Sequence, residues 1–302
     1  MSDLMTGFRW SFSKLDAANS CLFGFKKTYI DHQPPAENAF AQIGTLCHEL
    51  LEDYALGKKA VYDLLPAFEK GYRKQITAVW PPYPSSLAEK THAKIADYFR
   101  SFRGFNVNEV RMAEKKLVGT LAGRPFSGIL DLVATDAQNK LLIIDHKSSG
   151  LSEYRGQKLE QHKKQLLLYA ALLRQQTGQQ ADVLAFNLFK EGVWIRFPWS
   201  QEDEDRAVAW ADGIMTEAEH QMDAYFSSLT PQQQSLQRLL LVGHTPVQAR
   251  RALNLSSTRY RRMMLEMDEA ALIFLGHKEP AGDYGCQFIC SARNCCEEGG
   301  SP

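Results

Sequence analysis

Apolar side chains recur at helical spacing between residues 38 and 56, where Phe40, Ile43, Leu46, Leu50, Leu51 and Tyr54 share one face. The period changes after residue 108. Glu109 to Val118 reads as a strand turning at Ala122–Gly123. Two short apolar runs, Ile129 to Ala134 and Leu141 to Ile144, flank a polar turn at Asp136 to Asn139, the pattern of a hairpin. A helix from Leu159 to Gln176 follows, packing through Leu166, Leu167, Tyr169, Ala170 and Leu173 while Lys158, Lys163 and Lys164 point outward. Asp182 to Phe189 and Gly192 to Pro198 return to strand.

Strands interleaved with helices in this way predict an α/β protein, with a mixed central sheet flanked by helices. The remaining chain reads as helical. Ser13-Lys-Leu-Asp16 has the serine and acid of a helix start, and that helix runs on through Cys21, Leu22, Phe23 and Phe25. Residues 62 to 104 give two helical stretches broken at Trp80-Pro-Pro-Tyr-Pro84, and Gln201 to Leu229 is a long polar helix. After Pro231, a short capped helix, a turn at Asn254 and a second capped helix from Ser257 predict a helix-turn-helix. The expected division is a core at 1–199, a helical insertion at 200–283 and a C-terminal segment at 284–302.

Composition changes this picture little. With 44% hydrophobic and 23% charged residues, the 302-residue chain is an ordinary globular protein. Lys and Arg (35) balance Asp and Glu (35), so nucleic-acid binding would have to use local patches rather than a global field. No run of eighteen apolar residues exists and Met1 to Trp10 has no signal-peptide core, so a cytoplasmic protein without a membrane partner is expected. In that compartment the six cysteines point to metal or reactive thiols before disulfides.

Each strand of the hairpin carries one carboxylate, Asp131 and Asp145, where a buried strand should carry none. A turn centred on Gln138 sets them opposite each other, about 5 Å apart, which suits one shared divalent cation. Lys147 follows two residues after Asp145, on the same face. The turn at Ala122–Gly123 sets Glu114 opposite Asp131, and a slip of one residue would turn it away. The bland alternative is a hairpin whose acids are merely solvated at a sheet edge.

Asp131 followed by Asp145-His146-Lys147 resembles the PD-(D/E)xK nuclease motif. Its contexts, Gly128-Ile-Leu-Asp131 and Ile144-Asp-His-Lys147, are similar to the RecB-like branch, which includes the AddB nuclease domain and CRISPR-associated exonucleases. Further elements stand in that family's order: Cys21, then Gly44-x3-His48, Gln165-x3-Tyr169, and Cys286, Cys290, Cys295 and Cys296 near the end. The resemblance covers residues 11–199 and 284–296. It implies a restriction-endonuclease-like fold and a metal-dependent DNA nuclease of the exonuclease kind, in repair, recombination, phage or CRISPR-type DNA processing.

The same resemblance implies roles. His48, Asp131 and Asp145 would hold Mg²⁺ or Mn²⁺ with the carbonyl of Ile144, and Glu114 would complete the site. Lys147 would position the attacking water or stabilise charge on the phosphate, with Gln165 and Tyr169 contacting the site or the strand. DNA, single-stranded or at duplex ends, is the partner implied, with a helicase or integrase as the kind of protein that works beside such an enzyme. Cys21, Cys286, Cys290 and Cys296 would form a [4Fe–4S] clasp. The family's first cysteine gap is two residues and here it is three, so Cys295 or Cys296 remains open as the last ligand, and zinc is the rival metal. Outside the resemblance, Arg259, Arg261 and Arg262 would meet phosphates or base edges if the second helix of the helix-turn-helix enters a groove. A DNA-binding or regulatory protein that keeps the nuclease fold as a scaffold is the alternative. The intact Asp131, Asp145 and Lys147 set speaks against it, because a retired site has no reason to keep buried charge.

Overall fold

The structure, a computed structural model, describes residues 4–34, 36–81 and 84–276. In chain order these form α1 (Phe12–Ser20), α2 (Leu22–Phe25), α3 (Ala39–Ala55), α4 (Val61–Gln75) and α5 (Leu87–Ser101). Strands β1 (Glu109–Leu121), β2 (Arg124–Thr135) and β3 (Leu141–Lys147) follow, then α6 (Gly156–Thr177), β4 (Val183–Leu188) and β5 (Val193–Pro198). The chain continues with α7 (Gln201–Ser228), α8 (Pro231–Leu241), α9 (Pro246–Ala252) and α10 (Ser257–Leu275). Two compact units emerge: Glu37–Ala209, and Met1–Ala36 with Trp210–Pro302. The first thirty-six residues, expected with the core, thus group with the helical segment instead.

In the unit Glu37–Ala209 the sheet has the order β1-β2-β3-β4-β5. Every neighbour pair is antiparallel except β3 with β4, whose parallel pairing needs a long crossover, and α6 supplies it. This is the restriction-endonuclease-like arrangement of a mixed sheet with helices on its faces. Both turn positions hold. Leu121 pairs with Arg124 across Ala122 and Gly123, which take φ of 48° and 75°. Leu132 pairs with Ile144 and Thr135 with Leu141, which centres the second turn on Gln138. There Asp136 Oδ1 accepts the amides of Gln138 and Lys140, and Asn139 takes the left-handed φ of 60°.

One face of the sheet, through Leu132, Ala134, Leu142, Ile144 and Ala185, packs in one core with Ile43, Leu46 and Leu50 of α3, Phe68 of α4 and Phe99 of α5. Alternation gives Asp145 and Lys147 to the face covered by α6. All residues from Gln165 to Leu173 of α6 are buried, so the middle of this helix is enclosed while both its ends reach solvent.

In the unit Met1–Ala36 with Trp210–Pro302, α1 starts two residues earlier than expected. Ser11, not Ser13, is the cap, and its Oγ accepts the Lys14 amide. The expected continuous helix also breaks. Cys21 is extended (φ −159°, ψ 106°), closes α1 and caps α2 by accepting the Gly24 amide on Sγ at 3.3 Å. The next five residues, Lys26–Ile30, form a π-helical turn. That widened turn carries Lys26 and Lys27 inward, where Lys26 meets Asp31 at 2.7 Å and Lys27 meets Asp268 at 2.8 Å. Helices α8 and α9 begin with capping boxes, Thr230 with Gln233 and Thr245 with Gln248, and Ser256 caps α10. Among the described residues no helix is long and apolar enough to cross a membrane.

Candidate active site

Three elements bring the candidate donors together. Helix α3, nucleated by Asn38, whose Oδ1 accepts the amides of Phe40 and Ala41, presents His48 in its third turn. Strand β1 presents Glu114 between the pairs Ala113–Leu132 and Lys115–Leu130, opposite Asp131 of β2. Glu114 holds a left-handed φ of 46° inside a strand, a conformation that costs a non-glycine residue about 1–3 kcal/mol and persists where surrounding structure imposes it.

His48 Nδ1 lies 3.4 Å from Asp131 Oδ2 and 3.6 Å from Glu114 Oε1. One donor atom from each of the three residues lies within 4.8 Å of the other two. Asp131 Oδ2 also accepts the His146 amide at 2.7 Å, which fixes the carboxylate at the point where the β2–β3 pairing ends. Two carboxylates and one imidazole form an oxygen-rich donor set, and it fits a divalent cation.

The electrostatics agree with that fit. Burial, and then the charge of Asp145, push the Asp131 carboxyl above the ordinary carboxylate range. Burial pulls His48 down, but the Glu114 hydrogen bond and the charges of Asp131 and Asp145 outweigh it, so His48 is pushed up to about 8. Crowded anions of this kind draw positive charge to themselves.

Asp145 stands beside this group and is held elsewhere. Gln165 Nε2 donates to Asp145 Oδ1 at 2.9 Å, and Gln165 Oε1 accepts from Lys147 Nζ at 2.9 Å. Lys147 Nζ is 2.7 Å from Asp145 Oδ2, a contact that is ionic rather than a directed hydrogen bond. Burial would lower the Lys147 ammonium, but Asp145, Tyr154 and Asp131 outweigh it and hold it charged. About a quarter of the side chain (24%) still reaches solvent, leaving the charge open to an anion. Tyr169 completes the face: its hydroxyl receives Gln165 Nε2 at 3.2 Å, and burial followed by Asp145 pushes it up to about 12, so it stays a neutral phenol. A Cβ on Gly128 would fall 2.5 Å from the Tyr169 ring, which explains a glycine at that place.

The expected carbonyl donor, Ile144, stands at the end of the β2–β3 ladder, opposite Leu132. Glu114, Asp131 and His48 supply the compact donor group.

Two residues nearby were not expected from the sequence. His146 points to the α3 side of the sheet, lies edge-on to the His48 ring at 5.9 Å, stacks on Phe105 at 5.3 Å, and meets Asn187 Nδ2 through Nδ1 at 3.0 Å. Burial, then the charges of His48 and Lys147, push it far below its usual value, so it is neutral and accepts from Asn187. Asn187 also donates to the Tyr98 hydroxyl at 2.9 Å. The available signal was one amide in the apolar run Val183 to Leu188. Of the four expected clasp thiols, Cys21 is half-buried at its cap, while Cys286, Cys290 and Cys296 lie outside the described residues. Arg259, Arg261 and Arg262 are exposed on α10, in the other unit.

An acid hairpin on a mixed sheet, with a lysine two residues past its second acid and an imidazole from the preceding helix, sets a candidate cation-binding group beside a charged lysine. The model of the PD-(D/E)XK nuclease superfamily matches residues 9–297, and the chain belongs to that superfamily. Among solved structures, a candidate exonuclease from Eubacterium rectale is similar at 14% identity, covering 72% of this chain and 82% of that one, with a TM-score of 0.41. No curated protein matches.

Proposed function

We propose that this protein is a divalent-metal-dependent deoxyribonuclease of the RecB-like type, hydrolysing phosphodiester bonds of DNA. The observation that carries the reading is the His48, Glu114 and Asp131 group, with a charged lysine held next to it by Asp145 and Gln165. These three residues would hold Mg²⁺ or Mn²⁺, which when bound polarises a phosphate and acidifies a water.

The chain's own residues do the rest. Lys147 offers its ammonium to a non-bridging phosphate oxygen or to the attacking water, and the transition state gains most because charge builds there. Gln165 ties Lys147 to Asp145 and so sets the direction of both. Asp145 keeps the lysine protonated and adds negative charge beside Asp131. The His146 amide keeps Asp131 aimed at the group. The exonuclease mode, and a [4Fe–4S] or zinc clasp through Cys21, rest on the order of the sequence motifs.

The test is Mg²⁺- or Mn²⁺-dependent loss of end-labelled single- and double-stranded DNA on a gel, with Asp131→Ala as control. Cleavage by the parent and none by the variant is expected. Equal cleavage by both would overturn the reading, and metal-independent DNA binding without cleavage would favour a regulator built on a nuclease fold.

A further inference from the structure

The acids and bases of this neutral chain are not evenly spread. From Ala224 to Leu265 it carries six arginines (238, 250, 251, 259, 261 and 262) and one histidine, with no aspartate, glutamate or lysine. Elsewhere three exposed arginines sit against acids, Arg100 with Asp97, Arg111 with Glu109 and Arg206 with Glu202, while Arg73 and Arg103 bond to backbone carbonyls. In this stretch, among the described residues, one ion pair occurs, Arg262 with Glu266 at 3.0 Å. Arg250 and Arg259 lean instead on neutral groups, the Ser257 hydroxyl and the Gln232 amide oxygen.

The fold displays this charge on one motif. Asn254, at φ 51°, turns the chain between α9 and α10, and Ala249, Leu255, Met263 and Met267 are buried. With Met263 and Met267 inward, Thr258, Arg261, Arg262 and Leu265 form an exposed stripe at i, i+3, i+4 and i+7 on the first half of α10. That half is about 13 Å long, close to the roughly 12 Å width of a DNA major groove.

We propose that the α9–α10 pair docks on duplex DNA, with the first half of α10 in the major groove and its arginines on phosphates and base edges. It is a second nucleic-acid surface, carried by the unit that does not hold the catalytic residues. The inference rests on DNA being the substrate class. Arginine is the only cation used, and its planar fork matches phosphate oxygens and guanine edges in a way lysine does not. Single-stranded binding would call for aromatic platforms, and from residue 245 to 265 the one aromatic, Tyr260, is only half-exposed. Leu265, which is exposed, suits contact with a thymine methyl.

The test measures fluorescence anisotropy of a labelled duplex of roughly 20 base pairs with the full chain in EDTA, from about 50 to 200 mM salt. The triple variant Arg259→Ala, Arg261→Ala, Arg262→Ala should bind roughly tenfold more weakly per lost phosphate contact near 0.1 M salt, and its log–log salt slope should fall by about 0.9 per contact. Thermal unfolding of each variant checks the fold, and the double variant Arg251→Ala, Arg261→Ala, at two exposed positions, replaces the triple one if that unfolds. An unchanged affinity and slope would overturn the proposal. So would a loss confined to a hairpin RNA or to an acidic peptide. Cleavage with Mg²⁺ is read separately on the parent: failure there sinks the nuclease reading, while an unchanged slope sinks only this one.

Discussion

Two regions of the molecule bury lysine against aspartate, and they do so to opposite ends. In the helical unit Lys26 and Lys27 face Asp31 and Asp268, two cations against two anions. Asp31 has its other oxygen filled by Gln237 at 2.9 Å, and Gln237 in turn accepts from Tyr225 at 2.8 Å. The cluster is closed and balanced. In the sheet unit Glu114, Asp131 and Asp145 face one lysine and one histidine, and two of those carboxylates stand around His48 without a lysine of their own. Buried charge therefore does not mark a functional site by itself. An excess of one sign does, because only the excess asks for something from outside.

The largest difference should appear on deletion of one anion from each region. Asp131→Ala should lower metal-dependent cleavage by more than about 100-fold, the size lost when merely an outer partner of a metal ligand goes, with thermal unfolding unchanged or later. Asp31→Ala should leave Lys26 buried without its closest partner and cost about 3–5 kcal/mol in urea unfolding. If Asp131→Ala unfolded the protein while Asp31→Ala did not, the contrast would fail.

Metal should act on one region alone. Mg²⁺ or Mn²⁺ at about 100 times its Kd should add about 2.7 kcal/mol to the stability of the parent and nothing to Asp131→Ala, read as a shift of the unfolding transition. Protons compete for the same group. Because His48 is raised to about 8 and Asp131 to about 7, metal affinity should climb about tenfold per pH unit between those values, more steeply below about 7, and level off above about 8. Titration of the metal with His48→Ala should show a flatter climb, and an unaltered profile would remove His48 from the ligand group. The smallest effect expected is at the bridge between the two halves of the site. Gln165→Leu should slow cleavage about tenfold, at the lower end for a residue that orients others, without a change in metal affinity. A loss of metal binding there would mean that Gln165 supports the cation group rather than the lysine.

Much of the site was legible because its placement is local. A turn at Ala122–Gly123 and another about Gln138 each leave one register, and the period of two then carries Glu114, Asp131 and Asp145 to facing positions. The apolar period of residues 38 to 56 likewise set His48 on a helix, and α3 spans Ala39–Ala55. What could not be read locally concerns partners. Nothing near Asp145 in sequence says that Gln165, twenty residues on, would hold one of its oxygens.

The sequence by itself determined the elements, the hairpin register and the order of the motifs, since turn residues and side-chain periodicity act over a few positions. Only the tertiary structure decided where α1 would break, why Lys26 and Lys27 turn inward, and that the first thirty-six residues belong with the helices after residue 210. The inward turn of the lysines depends on a buried ammonium finding Asp31 or Asp268, up to 242 residues away, because a charge taken from water is tolerable only beside its partner.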